Sequence, residues 1–431
     1  MTQTSQPQTG RTETRPEQVT TPPDVQSAER RKLVMLAGIF AGGIALSVIT
    51  DRFALAAFIL AFITIVMIHE AGHFVAAKKS GMKVTEFFFG FGPRLWSVRK
   101  GETEYGIKAI PFGGYVKIIG MSNLERDIDP ADEHRTYRRQ SYPKRMIVAL
   151  AGVFTHFVMA FVLLVVLLSA IGIPNYDKPS LEIGSISRLE TGASPAVDAG
   201  FEVGDRIVSV GGRQVAGWND VPEIIRGSAG RPLDFVVERD GRELTLTPTP
   251  VELTREGETR GFVGIGPKAT VERMNPVAAA PEAVGDIWEL STGSVKALGG
   301  FFSPSSLRDY AGELTNANND EPASAEDTRF LSVVGVARIA AESSMFTMVY
   351  LLVLLNVFIG VFNLVPFLPL DGGHVAIATY ERLRTRKGRQ PYQADVGKMI
   401  PIAAAMIVVL VLIGVTSIYL DIVKPMTNPF Q

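Results

Sequence analysis

Long apolar blocks alternate with polar segments along this chain of 431 residues. The blocks run over 33–50, 53–77, 146–173, 345–368 and 399–420. Each approaches the ~20 residues that a helix needs to cross a bilayer core. The pattern predicts a polytopic α-helical membrane protein with about five spans, over 31–50, 53–77, 146–173, 345–374 and 398–421. Only Asp51 and Arg52 separate the first two, which suits a tight membrane hairpin. The first is an extra span whose "GIFAGG" offers small residues for close helix contact.

The polar segments have their own patterns. Residues 1–30 are rich in Thr, Gln and Pro and are expected to be a disordered tail. Over 178–266, short β-type runs alternate with Gly turns. "DRIVSV" and "LDFVVERDGRELTLTPT" read as strands, the second with an Asp-Gly hairpin turn, and "WNDVPEIIRG" reads as a short helix. These make an inserted α+β domain. Residues 267–344 read as a linker, with "LTNANNDEPASAEDT" disordered and "FLSVVGVARIAAESS" a short amphipathic helix near the membrane. In the loop 78–145, "EYGIKAIPFGGYVKI" alternates and offers an edge strand.

Charge sets orientation. Loop 78–145 holds 14 Lys and Arg, the region 369–397 holds five, and Arg30, Arg31 and Lys32 flank the first span. The positive-inside rule then places the N-terminus, 78–145 and the loop 375–397 in the cytoplasm, and 174–344 outside. A net charge of −1 argues against a nucleic-acid partner. There is no cysteine, so a metal site must use His, Asp or Glu, and there are five histidines.

Three ionisable residues interrupt the second block, in "IVMIHEAGHFVAA". His69, Glu70 and His73 form H-E-x-x-H. Histidines four apart share one helix face, so two imidazoles can hold one metal, and the Glu between them can serve as general base on a metal-activated water. In a soluble helix the same motif is often only a charged face. Here there is no solvated face, and an ionisable group within a span is expensive enough to imply function. Counted from Phe53, His69 lies about 24 Å along a helix, inside a core about 30 Å thick and towards its cytoplasmic face.

A catalytic zinc site usually has three protein ligands. The next intramembrane anomaly, "NVFIGVFNLVPFLPLDGGH" over 356–374, offers Asp371 as the third. Asn363, Pro366 and Pro369 break that span, and irregular backbone at membrane depth must be buried in protein or line a wet cavity. A helix end with a Gly turn accounts for Asp371-Gly372-Gly373 but not for Asn363 and the prolines.

H-E-x-x-H in one span and N-x-x-P-x-x-P-x-D-G-G in a later one, with "SPAVDAGFEVGDRIVSVGGRQV" between them, resemble the site-two protease family of intramembrane zinc metalloproteases. The intervening segment, 178–266, resembles a PDZ domain in its bacterial arrangement. The pattern resembles the bacterial members with an extracytoplasmic PDZ domain, including the actinobacterial branch of regulator-of-sigma-factor proteases. The resemblance covers roughly 53–421. It implies one zinc ion on His69, His73 and Asp371, with Glu70 as base and Asn363 and Pro366 supporting substrate or site geometry. It implies a peptide-binding edge at Leu181, Glu182, Ile183 and Gly184. It also implies a multi-pass protein of the bacterial inner membrane, with the PDZ domain extracytoplasmic and a cytoplasmic hairpin that dips into the membrane. Its substrates would be single-span membrane proteins such as anti-sigma factors, already trimmed by an upstream first-cut protease. The hairpin would hold an unwound substrate by strand addition.

Two other classes compete. One is a PDZ-bearing scaffold with a non-catalytic metal, which would not need Glu70. The other is a metal transporter, which would need a second intramembrane acidic pair. His156, in "AGVFTHFVMAF", reads as a packing residue, His374 as structural and His134 as solvated.

Overall fold

A computed structural model of the protein describes residues 31–121, 125, 127–189, 192, 194–255, 258–315, 331–385 and 392–426, apart from several positions between 33 and 51. The expected tail, most of the expected disordered stretch and parts of the expected first span lie outside the described residues. The rest forms two compact units. One takes the described parts of Met1–His156, Gly300–Glu342 and Ile359–Asn428, and the other those of Phe157–Gly299 and Ser343–Phe358. Among the described residues, four helices are long and apolar enough to cross a membrane.

Helix α1, Phe53–Lys79, is the first of these. Lys78 and Lys79 close its last turn, where cations suit the helix dipole. Strands β1 (Val84–Lys100) and β2 (Thr103–Ile118) follow. They are longer than a simple hairpin requires, and they bend. Residues 84–89 pair on one flank with 114–118 (Phe87 opposite Val116) and on the other with 104–107 (Phe87 opposite Tyr105). Residues 94–100 pair with 103–108. The expected hairpin is therefore a sheet four segments wide, with 114–118 on its outer edge. Helix α2, Tyr142–Val166, continues as a wider turn over Leu167–Ile171, and together these make the second apolar helix.

The inserted region opens and closes on one ladder. Strand β3 (Ile173–Asn175) pairs with β12 (Thr270–Glu272), Asn175 opposite Thr270. Between them come β4 (Ile183–Ile186), the short helix α3 (Pro195–Asp198), β5 (Arg206–Val210), β6 (Arg213–Gln214), helix α4 (Asp220–Arg226), β7 (Phe235–Arg239), β8 (Arg242–Leu246), β9 (Val251–Arg255), β10 (Glu258–Phe262) and β11 (Ile265–Pro267). The sheet order is β6-β5-β7-β8. The Asp-Gly turn is where the alternation put it. Asp240 and Gly241 have φ 50° and 73°, the left-handed pair that a two-residue hairpin demands. Ile183, Ile207, Val210, Val221, Phe235 and Val237 are essentially fully buried. Each such side chain is worth about 1.5–3 kcal/mol of transfer free energy, so this region carries a core of its own.

The segment expected as a linker holds more helix than its composition suggested. Helices α5 (Pro276–Phe301) and α6 (Pro304–Thr315) each start on a proline, the residue preorganised for a first helical position. Helix α7, Val333–Ala341, is the expected amphipathic one. It packs against α1 and against the terminal helix α10 (Ile400–Val423). The span expected over 345–374 is corrected. Helix α8 (Met345–Asn363) stops at Asn363, a turn follows, and Asp371 begins a separate helix α9, Asp371–Arg384. The loop expected over 375–397 is thus helical to Arg384.

Candidate active site

Both histidines of H-E-x-x-H lie on the buried face of α1, His69 8% and His73 6% exposed. That face meets α2 at close range. A Cβ on Gly72 would sit 2.8 Å from the Ala151 carbonyl oxygen and 2.8 Å from Thr155 Cγ2, so only glycine permits the approach. Gly152, one turn below His156 on α2, is tighter still. A Cβ there would lie 2.3 Å from His73 Nε2 and 2.5 Å from His69 Cε1.

Helix α2 also fixes a tautomer. His73 Nδ1 lies 2.8 Å from the Val148 carbonyl oxygen. A carbonyl only accepts, so Nδ1 carries the hydrogen and donates it. Nε2 is left with its lone pair facing the site, the usual arrangement behind a metal-binding imidazole.

Asp371 arrives from α9. Pro366 and Pro369 interrupt the chain after α8, and the turn over 364–370 folds onto the first turn of α9. The contact is close enough that a Cβ on Gly372 would stand 2.2 Å from the Leu364 carbonyl oxygen. The Gly pair after Asp371 therefore seats the helix start that presents the carboxylate.

The three groups converge. His73 Nε2 is 3.2 Å from His69 Nε2, and Asp371 Oδ2 is 3.2 Å from His73 Nε2 and 3.4 Å from His69 Nε2. Asp371 Oδ2 is buried with no hydrogen-bond partner. Two nitrogens and an oxygen on a near-equilateral triangle of this size fit a metal. Ligands about 2.0–2.1 Å from a tetrahedral zinc stand about 3.3–3.4 Å apart. These residues are the one such His and carboxylate group among the described residues.

Glu70 flanks the triangle on the side of the sheet. A Cβ added to Gly114, on the outer edge, would lie 3.1 Å from Glu70 Cγ. Residues 57–410 match peptidase family M50.

This chain belongs to peptidase family M50.

Curated relatives agree along most of the length. Zinc metalloprotease Rip1 of Mycobacterium tuberculosis (strain ATCC 25618 / H37Rv) is 33% identical over 408 residues, which is 87% of this chain and 97% of that protein. Rip1 of Mycolicibacterium smegmatis is 33% identical over 404 residues, 86% and 97% of the two chains. Metalloprotease MmpA of Caulobacter vibrioides is 29% identical over 355 residues, 77% and 87%.

The remaining expected residues fall in different places. Asn363 ends α8 and Pro366 lies in the turn after it, so both belong to the segment that delivers Asp371 rather than to the triangle. His156 is fully buried, its ring 4.9 Å from that of His69, so it packs beside the triangle. His374, one turn beyond Asp371, meets the Tyr137 ring edge-on at 6.2 Å. His134 is exposed.

The expected peptide edge is corrected. Leu181 to Gly184 is hydrogen-bonded on both flanks. On one side the Ile183 amide donates to the Asp205 carbonyl, and the Ile207 amide to the Leu181 carbonyl. On the other the Lys268 amide donates to the Glu182 carbonyl, and β11 pairs with β4. No main-chain row is open there for an added strand. Periodicity could not reveal this, because the partner β11 comes from residues some 80 positions later in the chain.

Gly152, the Val148 carbonyl and Gly114 are the site residues that motif reading missed. Glycine within an apolar helix is the one signal the sequence carries for the first, since small residues mark close helix contacts.

Proposed function

We propose that this chain cleaves a peptide bond within or beside a transmembrane segment of another membrane protein. Family membership makes it a zinc metalloprotease, and with the four long apolar helices among its described residues makes it an integral membrane protein. The finer reading is carried by one observation: the 3.2–3.4 Å triangle of His69, His73 and Asp371, built on a helix apolar enough to span a bilayer.

His69, His73 and Asp371 would hold the zinc, which when bound polarises a carbonyl and lowers the pKa of a water ligand. Glu70, next to His69 in the chain, takes the proton from the attacking water and returns it to the leaving amine. The Val148 carbonyl keeps His73 in the tautomer that ligation requires. Asn363 and Pro366 set the turn that delivers Asp371.

A substrate helix hides its peptide bonds and must be unwound before water can reach them. The edge 114–118 runs beside Glu70 and supports a reading in which it pairs with the unwound stretch by strand addition. Lys and Arg placement supports a cytoplasmic hairpin and an extracytoplasmic insertion, whose strand and turn pattern supports the PDZ reading. In this reading the substrates are single-span proteins such as anti-sigma factors, cut first by another protease, in a bacterial inner membrane.

The test is cleavage of a tagged single-span substrate in membranes by wild type and by Glu70→Gln. Cleavage should fall at least 10²-fold while zinc content is unchanged, as expected for loss of a general base. Equal cleavage by both proteins would remove Glu70 from the chemistry.

A further inference from the structure

Asp371 reaches the triangle from the first turn of α9, so that helix must be held in register against α2. Close packing of Gly372 on Leu364 seats its first turn, and a polar contact ties the body of the helix to α2. A cavity of about 230 Å³ lies behind the start of α9, lined by Tyr137, Arg145, Leu368, Pro369, His374 and Glu381 among others.

One buried ion pair crosses the gap. Arg145 Nη1 on α2 is 2.6 Å from Glu381 Oε2 on α9, and the side chains are only 12% and 6% exposed. The other carboxylate oxygen of Glu381 accepts the Ala394 amide at 2.7 Å, which ties in the segment after α9. The Arg145 guanidinium lies 5.0 Å from the Tyr137 ring centroid, and that ring meets His374. Arg145, Val148 and Gly152 are spaced i, i+3, i+7, so they lie on one stripe of α2. The stripe holds His73 at Val148, backs both imidazoles at Gly152 and grips α9 at Arg145.

We propose that Arg145 and Glu381 are a positioning pair for the metal centre, fixing α9 on α2 so that the Asp371 carboxylate closes the triangle with His69 and His73. This rests on the reading of Asp371 as a zinc ligand. Stability alone is a poor account of the pair, because a buried ion pair replaced by apolar residues often leaves a fold as stable or more so. Register is what two apolar side chains could not reproduce.

The experiment uses full-length protein in nanodiscs. Zinc affinity is read by chelator competition, and ligand geometry by the visible absorption of the Co²⁺-loaded protein. Glu381→Gln and Arg145→Met should each weaken zinc binding 10- to 100-fold and alter the Co²⁺ spectrum, the size of effect seen when a group supporting a metal ligand is lost. The double variant R145M/E381M has no unpaired buried charge, and it should stay equally weak. If the single variants do not fold, the double variant decides. Zinc affinity within twofold of wild type and an unchanged Co²⁺ spectrum in the double variant would overturn the proposal. Asp371→Asn separates the two readings. If it binds zinc like wild type, the ligand assignment itself fails. If it loses zinc while R145M/E381M does not, only the positioning role fails.

Discussion

Gly152 is the residue on which the site depends most sharply without contributing a side chain. Its missing Cβ is the space in which His69 and His73 turn their rings towards Asp371. Gly152→Ala should therefore reduce zinc affinity by at least 100-fold, since the methyl group must displace an imidazole or push α1 off α2. Gly285→Ala, on a helix with nothing within 4 Å of an added Cβ, is the matched control and should leave zinc binding unchanged. Chelator competition on both variants checks this. His69, His73 and Asp371 were legible in the chain as a candidate site because ionisable groups in apolar runs are anomalies. Gly152 was not. A glycine in a membrane helix looks the same whether it faces lipid or a metal site, and only the packing of α1 on α2 distinguishes them.

At the scale of elements, the hairpin is anchored at its turn. Glu102, between β1 and β2, meets Lys78 at the end of α1 and pairs with Arg135 Nη1 at 2.8 Å. The hydrogen bonds from Arg135, ahead of those from Lys78, hold its carboxyl down at about 2, against the partial burial that works the other way. A depressed carboxyl stabilises the folded form above its unfolded value, about 4.3, and that contribution is lost as pH falls from there through about 2. Glu102→Gln should cost about 1 kcal/mol at pH 7, the scale of a partly exposed ion-pair network. The thermal midpoints of wild type and variant should differ at pH 7 and converge as pH approaches 2. A gap that persists or widens in acid would mean that the anchor is not this carboxylate. The alternation in "EYGIKAIPFGGYVKI" was enough to announce strands, but it did not announce that each long strand bends to pair twice. That depends on pairings between residues that no local period records. The same limit hid the start of α9. Asp371-Gly372-Gly373 reads locally as a turn, and it becomes a helix start only because the glycines let the chain fold back on Leu364.

At the scale of the whole molecule, the inserted region enters and leaves at neighbouring residues, since Asn175 pairs with Thr270. Every residue of the His69, His73 and Asp371 triangle, Glu70, Gly152 and the Arg145–Glu381 pair lies outside 176–269. Replacing 176–269 with a short Asn-Gly turn should therefore leave zinc affinity within twofold of wild type. What it does to cleavage separates two roles for the insertion. A recruiting domain would take up the new C-terminus of a trimmed substrate along an open strand, and its removal would slow cleavage of trimmed substrate. The segment expected to offer that strand, Leu181 to Gly184, already has both flanks hydrogen-bonded within the domain. A domain that discriminates without adding a strand can still exclude substrates that carry bulky external parts. The deletion should then raise cleavage of an untrimmed single-span substrate several-fold and leave a trimmed one unchanged. Gel-based cleavage of the two substrates by wild type and deletion variant reads both rates. Slower cleavage of the trimmed substrate, with zinc retained, would return the insertion to a recruiting role and require a peptide site elsewhere on its surface.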